Sequence, residues 1–142
     1  MEWFTFQARK EVLGIDAQHV YRVVDDVKVT PVPLTPECHL GLIYYRGELF
    51  TVIDIINMLG YGKANVEKNA PIILVKWSDK NLALVSDQIG GLLWIEDEAE
   101  TLSTYGKGNH TVRPITPETI WNTLLKFSYG PDQIPEDFHR GI

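Results

Sequence analysis

At 142 residues, 44% hydrophobic and 23% charged, the chain has the composition of one globular domain and not of a disordered polymer. Its net charge of −6, from 13 basic and 19 acidic residues, argues against a phosphate-backbone binder, which needs a basic footprint. A single cysteine, Cys38, excludes an intrachain disulfide, and no stretch approaches the ~20 apolar residues of a membrane span.

The N-terminal MEWFTFQARK lacks the form of a secretory signal, so a cytoplasmic location without membrane insertion is expected. WFTFQ, with Phe4 and Phe6 on one face, predicts an opening strand, ARKE a turn and VLGI a returning strand. Asp16 is placed to cap a short helix over AQHVYRVV, where Val20 and Val24 share a face. Pro31, Pro33 and Pro36 remove backbone donors and enforce a stiff, extended connector.

Residues 40 to 53 predict a β-hairpin turning at Arg46-Gly47, since glycine tolerates the positive φ of such turns. Asp54 is expected to cap a helical IINML, which Gly60 stops. The polar YGKANVEKN marks a boundary between two subdomains. PIILVKW, SDKN and LALVS predict strand, turn and strand, after which DQIGG turns again into LLWI.

Glu96, Asp97, Glu98 and Glu100 open a polar region reaching about residue 113. Thr116-Pro117, with Ile120 above Leu124 and Trp121 above Leu125, predicts a helix over 117–128 that ends at Gly130-Pro131. DQIPEDFHRGI reads as a loosely attached tail. Many short strands with few helices indicate small β-barrels or a sandwich.

No pattern of reactive side chains points to catalysis. His19, His39, His110 and His139 are scattered, and Cys38 and His39 would point to opposite faces of a strand, so no metal site is expected. Ser78, Ser86, Ser103 and Ser128 sit in no nucleophile motif. GYGK at 60–63 and YGKGNH at 105–110 miss the spacing of a phosphate loop and read as flexible loops. The acids from Glu96 to Glu100 read as a solvated loop. Asp54 and Asp87 each follow an apolar strand, as a cap or turn acceptor would.

The stretch HLGLIYYRGELFTVIDIINMLG resembles the core motif of CheW-like domains, carried here by Gly41, Leu42, Arg46, Gly47, Val52, Ile53, Asp54 and Ile55. FTFQARKEVLGIDAQHVYRVV is similar to the family's opening strands and short helix, VTPVPLTPE to its proline linker, and NLALVSDQIGGLLWI to its segment ending in Val-Asp-x-Val. The resemblance covers about residues 3 to 95. It implies a mainly β fold of two small SH3-like five-stranded β-barrels packed on a shared hydrophobic core, with short helices. Residues 1–130 would form this single domain of two β subdomains, with 131–142 as the tail.

The implied role is a non-enzymatic adaptor without cofactors. It would couple the cytoplasmic tip of methyl-accepting chemoreceptors to the regulatory domain of a CheA-type histidine kinase. Val20 and Ile89 match positions lining the groove for the receptor's helical tip, and Gly41 matches a position where a side chain would crowd strand packing. Arg46 would offer its guanidinium at the hairpin tip, Gly47 would let a partner approach, and Asp54 and Asp87 belong to the structural motif. Arg22 is assigned to the same rim, although the family usually has an acid there. Past residue 96 the match fades, and the closing strand either survives in IWNTLLKF or is replaced by a helix, so the C-terminal part is altered.

Spacing alone favours reading Arg46 as a turn residue held by an internal acceptor, Asp54 or a backbone oxygen; the resemblance shifts the reading to a partner contact. The same scaffold would also serve a type IV pilus or other surface-motility pathway. More distant readings are a small-barrel nucleic-acid binder, which the acidic charge opposes, and a ligand-binding or hydrolytic barrel using Asp54 or Asp87.

Overall fold

A computed structural model of the chain describes residues 1–65, 70–94 and 112–129. The opening segment folds as predicted into a hairpin, β1 (Glu2–Ala8) and β2 (Glu11–Asp16), turning at Arg9-Lys10. Without a glycine, Arg9 itself takes the left-handed conformation at φ 57°. The carboxylate of Asp16 then accepts from the Gln18 amide at 3.1 Å and caps a single 3-10 turn, Ala17–His19.

The helix expected to continue through Val20 and Val24 stops there. Residues Val20–Val24 form strand β3 and pair antiparallel with β6 (Ile72–Trp77). Three of those five residues are valines, whose branched side chains favour a pleated strand once a partner is present.

The Arg46-Gly47 hairpin joins β4 (His39–Tyr45) to β5 (Glu48–Asp54), and Asp54 caps the short helix α1 (Ile55–Met58). β7 (Lys80–Val85) returns from β6 and β8 (Gln88–Trp94) follows. Here the expected DQIGG turn is corrected: Ile89, Gly90 and Gly91 lie inside β8. The ladder runs Phe6 to Ile89 and then Thr5 to Gly91, so Gly90 is the extra residue of a bulge. A Cβ on Gly90 would stand 2.5 Å from the Thr5 hydroxyl, so the bulge needs a glycine where β1 passes.

Val112–Pro114 forms β9, beside β2 in parallel, at the end of what was read as a polar region. The last described element is α2 (Pro117–Tyr129), so a helix stands where a closing strand was the alternative. Residues 95–111, with Glu96, Asp97, Glu98, Glu100 and YGKGNH, lie outside the described residues, as do Gly130 and the 131–142 tail.

The strands make two mixed sheets, ordered β8-β1-β2-β9 and β3-β6-β7-β5-β4. The second has the five strands expected of a barrel, and the first has four among the described residues. Alternation along the central strands assigns each residue to one of two cores. Ile73 and Val75 of β6, Leu82 and Leu84 of β7, and Ile53 of β5 meet Phe4, Phe6, Leu13 and Ile15 of the other sheet. Ile72, Leu74, Ala83, Val85, Phe50 and Val52 point the other way, into the hollow of the second sheet.

Ile120 and Leu124 place α2 against the shared core. Full burial of one such aromatic or aliphatic side chain is worth about 2 kcal/mol, so this two-sided strand pattern is what holds the sheets together. Each sheet also curls until its edges touch. Leu93 on β8 packs against Val112 on β9 in the first sheet, and Tyr45 on β4 meets Tyr21 on β3 in the second, ring centroids 6.4 Å apart.

Candidate functional site

The hairpin tip is a two-residue turn in which both central residues have positive φ, 49° at Arg46 and 84° at Gly47. That geometry matches the right-handed twist of the flanking strands. Gly47 adopts it freely, whereas an L side chain in the left-handed region costs roughly 1–2 kcal/mol. An arginine that bears this strain is held out from the sheet at its end.

Arg46 is exposed, and its guanidinium lies over the Tyr45 ring, 5.4 Å from the centroid. It makes no hydrogen bond or ion pair among the described residues. The internal acceptor considered for it, Asp54, lies at the opposite end of β5. The oxygens of Asp54 are occupied there: Oδ1 accepts from the Asn57 amide at 3.1 Å and Oδ2 from the Ala64 amide at 2.8 Å. Asp54 is buried, so this is a structural cap that also anchors the loop after α1.

Beside Arg46 the outward face of the hairpin is apolar. Tyr44 and Leu49 are cross-strand partners and are 69% and 58% exposed. Tyr45 points inward instead, toward β3, where its hydroxyl accepts from Arg22 Nη1 at 3.2 Å. Tyr21 stacks on the buried Phe50 and carries the Lys76 ammonium 4.6 Å above its ring, while Lys76 pairs with Glu48 at 2.5 Å. Arg22, Tyr45 and Arg46 thus form one surface across two strands.

The other residues singled out from the sequence lie elsewhere. Val20 and Ile89 are half-buried against the shared core, on β3 and β8, an edge strand of each sheet. Gly41 is buried, with the Thr30-Pro31 connector across it, and shows no surface to a partner. Asp87 receives the Arg9 guanidinium at 2.8 Å, and Arg9 also donates to the carbonyls of Lys63 and Tyr61 at 2.6 and 3.5 Å. This ties the β1-β2 turn, the loop after α1 and the approach to β8 together.

Sequence reasoning missed Tyr44, Tyr45 and Leu49. Once the turn is placed at 46–47, register alone pairs residue 44 with residue 49, so that signal was available.

Burial pushes the Cys38 thiol above its ordinary value, and the Asp54 carboxylate pushes the same way against a backbone hydrogen bond. It is therefore a packed thiol and not an activated nucleophile. Among the described residues no three His, Cys, Asp or Glu side chains are grouped to hold a metal ion, and no helix is long and apolar enough to cross a membrane.

Comparison with known proteins bears on this surface. The CheW-like domain family matches residues 2–122. Protein FrzA of Myxococcus xanthus is 28% identical over 91 residues, 64% of this chain and 57% of that protein. Chemotaxis protein CheW of Thermotoga maritima is 25% identical over 96 residues, 68% of this chain and 63% of that one. The chain thus spans less than two thirds of the length of these curated relatives. Among solved structures, the scaffolding protein TtCheW from Thermoanaerobacter tengcongensis superposes with a TM-score of 0.69 at 26% identity, covering 80% of this chain and 87% of that one.

Proposed function

The chain belongs to the CheW-like domain family, and we propose that it is a non-enzymatic adaptor that couples chemoreceptors to a CheA-type histidine kinase in a cytoplasmic chemotaxis complex. The observation that carries this reading is Arg46. A strained cation at the hairpin tip, with no anionic partner among the described residues, is a contact still to be made. A guanidinium forms paired hydrogen bonds to a carboxylate or to backbone carbonyls, which fixes orientation as well as affinity.

Tyr44 and Leu49 supply apolar area beside it. Val20 on β3 and Ile89 on β8 offer apolar side chains suited to an amphipathic helix, the form a receptor tip presents. The net charge of −6 and the absence of a basic stripe speak against a nucleic-acid partner. Individual contacts between such modules are modest and gain strength from repetition within an assembly.

The test is capture of a CheA-type kinase and of a chemoreceptor by the intact protein and by Arg46→Glu. The intact protein is expected to retain both, and the variant to lose at least one by about 10- to 100-fold, the value of a charge-assisted hydrogen bond. Capture of neither partner by the intact protein would overturn the adaptor reading. Equal capture by both proteins would remove only the role given to Arg46.

A further inference from the structure

We propose that Arg22 is a positioning residue, which acts through Tyr45 to set the direction in which Arg46 is offered to a partner. The inference rests on the adaptor reading for its binding consequence, and on geometry alone for the positioning itself. Arg22 is on β3 and Arg46 is in the turn that follows β4, and these two strands are the opposite edges of one five-stranded sheet. Tyr45 is the side chain that joins them. Arg22 Nη1 donates to its hydroxyl at 3.2 Å, and the Arg46 guanidinium rests on its ring at 5.4 Å.

The ring is held from other directions too. Tyr21 meets it edge-on with an interplanar angle of 77°, and Tyr21 is itself stacked on the fully buried Phe50 at 6.3 Å. The platform under Arg46 is therefore anchored to the hydrophobic core, and Arg22 locks its outer end. An aromatic face attracts a guanidinium over a limited range of positions, so the orientation of the ring becomes that of the cation.

The consequence is preorganisation. An arginine free in solvent must be ordered when it docks, and that ordering opposes binding; an arginine already lying on a fixed ring loses less. Arg22 accordingly contributes to affinity without touching the partner. The bond that Arg22 donates to the Tyr45 hydroxyl gives this basic residue a role inside the fold.

The experiment has two arms on the intact protein. In the free protein, NMR relaxation at the Arg46 side-chain Nε–H reports its ordering. It is expected to become more mobile in Arg22→Met and in Tyr45→Leu, and to change little in Arg22→Lys, which keeps a donor for the hydroxyl. In the second arm, kinase and receptor capture is measured for Arg22→Met, Tyr45→Phe and the double variant. Arg22→Met is expected to weaken capture about three- to tenfold, the cost of immobilising one long side chain. Combined with Tyr45→Phe, which keeps the ring and removes the hydroxyl, it should have almost no further effect.

Unchanged Arg46 mobility in either Arg22→Met or Tyr45→Leu overturns the proposal. So does an Arg22→Met loss that is as large on the Tyr45→Phe background, since Arg22 would then act by direct contact. If the intact protein captures neither partner, the adaptor reading fails, and the relaxation arm alone decides the positioning.

Discussion

A Cβ placed on Gly41 would stand 2.1 Å from the carbonyl oxygen of Thr30. The two residues are brought together because the connector after β3 doubles back along the outer edge of β4. Thr30 and Leu42 exchange backbone hydrogen bonds there at 2.8 and 2.9 Å. The proline-rich connector therefore covers part of an exposed strand edge, which would otherwise be free to pair with another chain.

This separates the two glycines of the motif. Gly41→Ala meets backbone on a strand and is expected to cost about 3 kcal/mol, through steric conflict and a φ of 142° that a side chain resists. Gly47→Ala finds the Tyr44 hydroxyl no closer than 4.0 Å and bears conformational strain alone, about 1 kcal/mol. Urea denaturation of both variants checks this; equal losses would contradict the Thr30 contact.

Asp54 is expected to matter for stability and not for docking. Asp54→Ala strands the Asn57 and Ala64 amides and should cost about 2 kcal/mol, one cap and one buried hydrogen bond. Asp54→Asn keeps one accepting oxygen and should cost about half as much. Because Asp54 is at the far end of β5 from Arg46, kinase capture by folded Asp54→Asn should match the intact protein.

The Arg9–Asp87 pair calls for a double-mutant cycle. Its side chains are 40% and 29% exposed, so solvent screens much of the attraction, and a coupling of about 1 kcal/mol is expected. Each single change should cost more than the coupling: Arg9→Ala also releases the carbonyls of Tyr61 and Lys63, and Asp87→Ala also strands the Arg9 backbone amide, which donates to Asp87 Oδ2. High salt should erase most of the coupling while leaving those additional losses in place.

Cys38 supplies a pH-dependent expectation with a definite sign. Its thiol is raised in the fold by burial, so the unfolded chain releases that proton first. The group contributes nothing to pH dependence well below the ordinary thiol value of about 8.5, and unfolding is favoured as pH rises through it. Stability should therefore fall less steeply above that pH in Cys38→Ala. Alkylation of the native thiol at pH 8 should be far slower than that of the unfolded chain.

The features legible in the sequence were those with local causes. The Arg46-Gly47 turn, the Asp54 cap and the α2 helix each follow from the φ preference, donor inventory or spacing of a few neighbouring residues. The proline connector, expected to be extended throughout, instead turns at Pro33-Leu34 and again at Glu37-Cys38, with Leu34 at φ 62°. Two expectations failed where a distant strand outweighed local pattern. Val20 to Val24 carry helical spacing but pair with β6, and Gly90-Gly91 read as a turn but form a bulge against Thr5.

The sequence by itself thus determined the hairpin, its glycine and the arginine at its tip, because a two-residue turn depends on little beyond its own backbone. Only the tertiary structure decided that this arginine lies on Tyr45 and that Arg22 reaches the same ring from the opposite edge. That meeting requires the sheet to curl on itself. Curling comes from accumulated strand twist and the packing of two cores, neither of which is written in any short stretch of the chain.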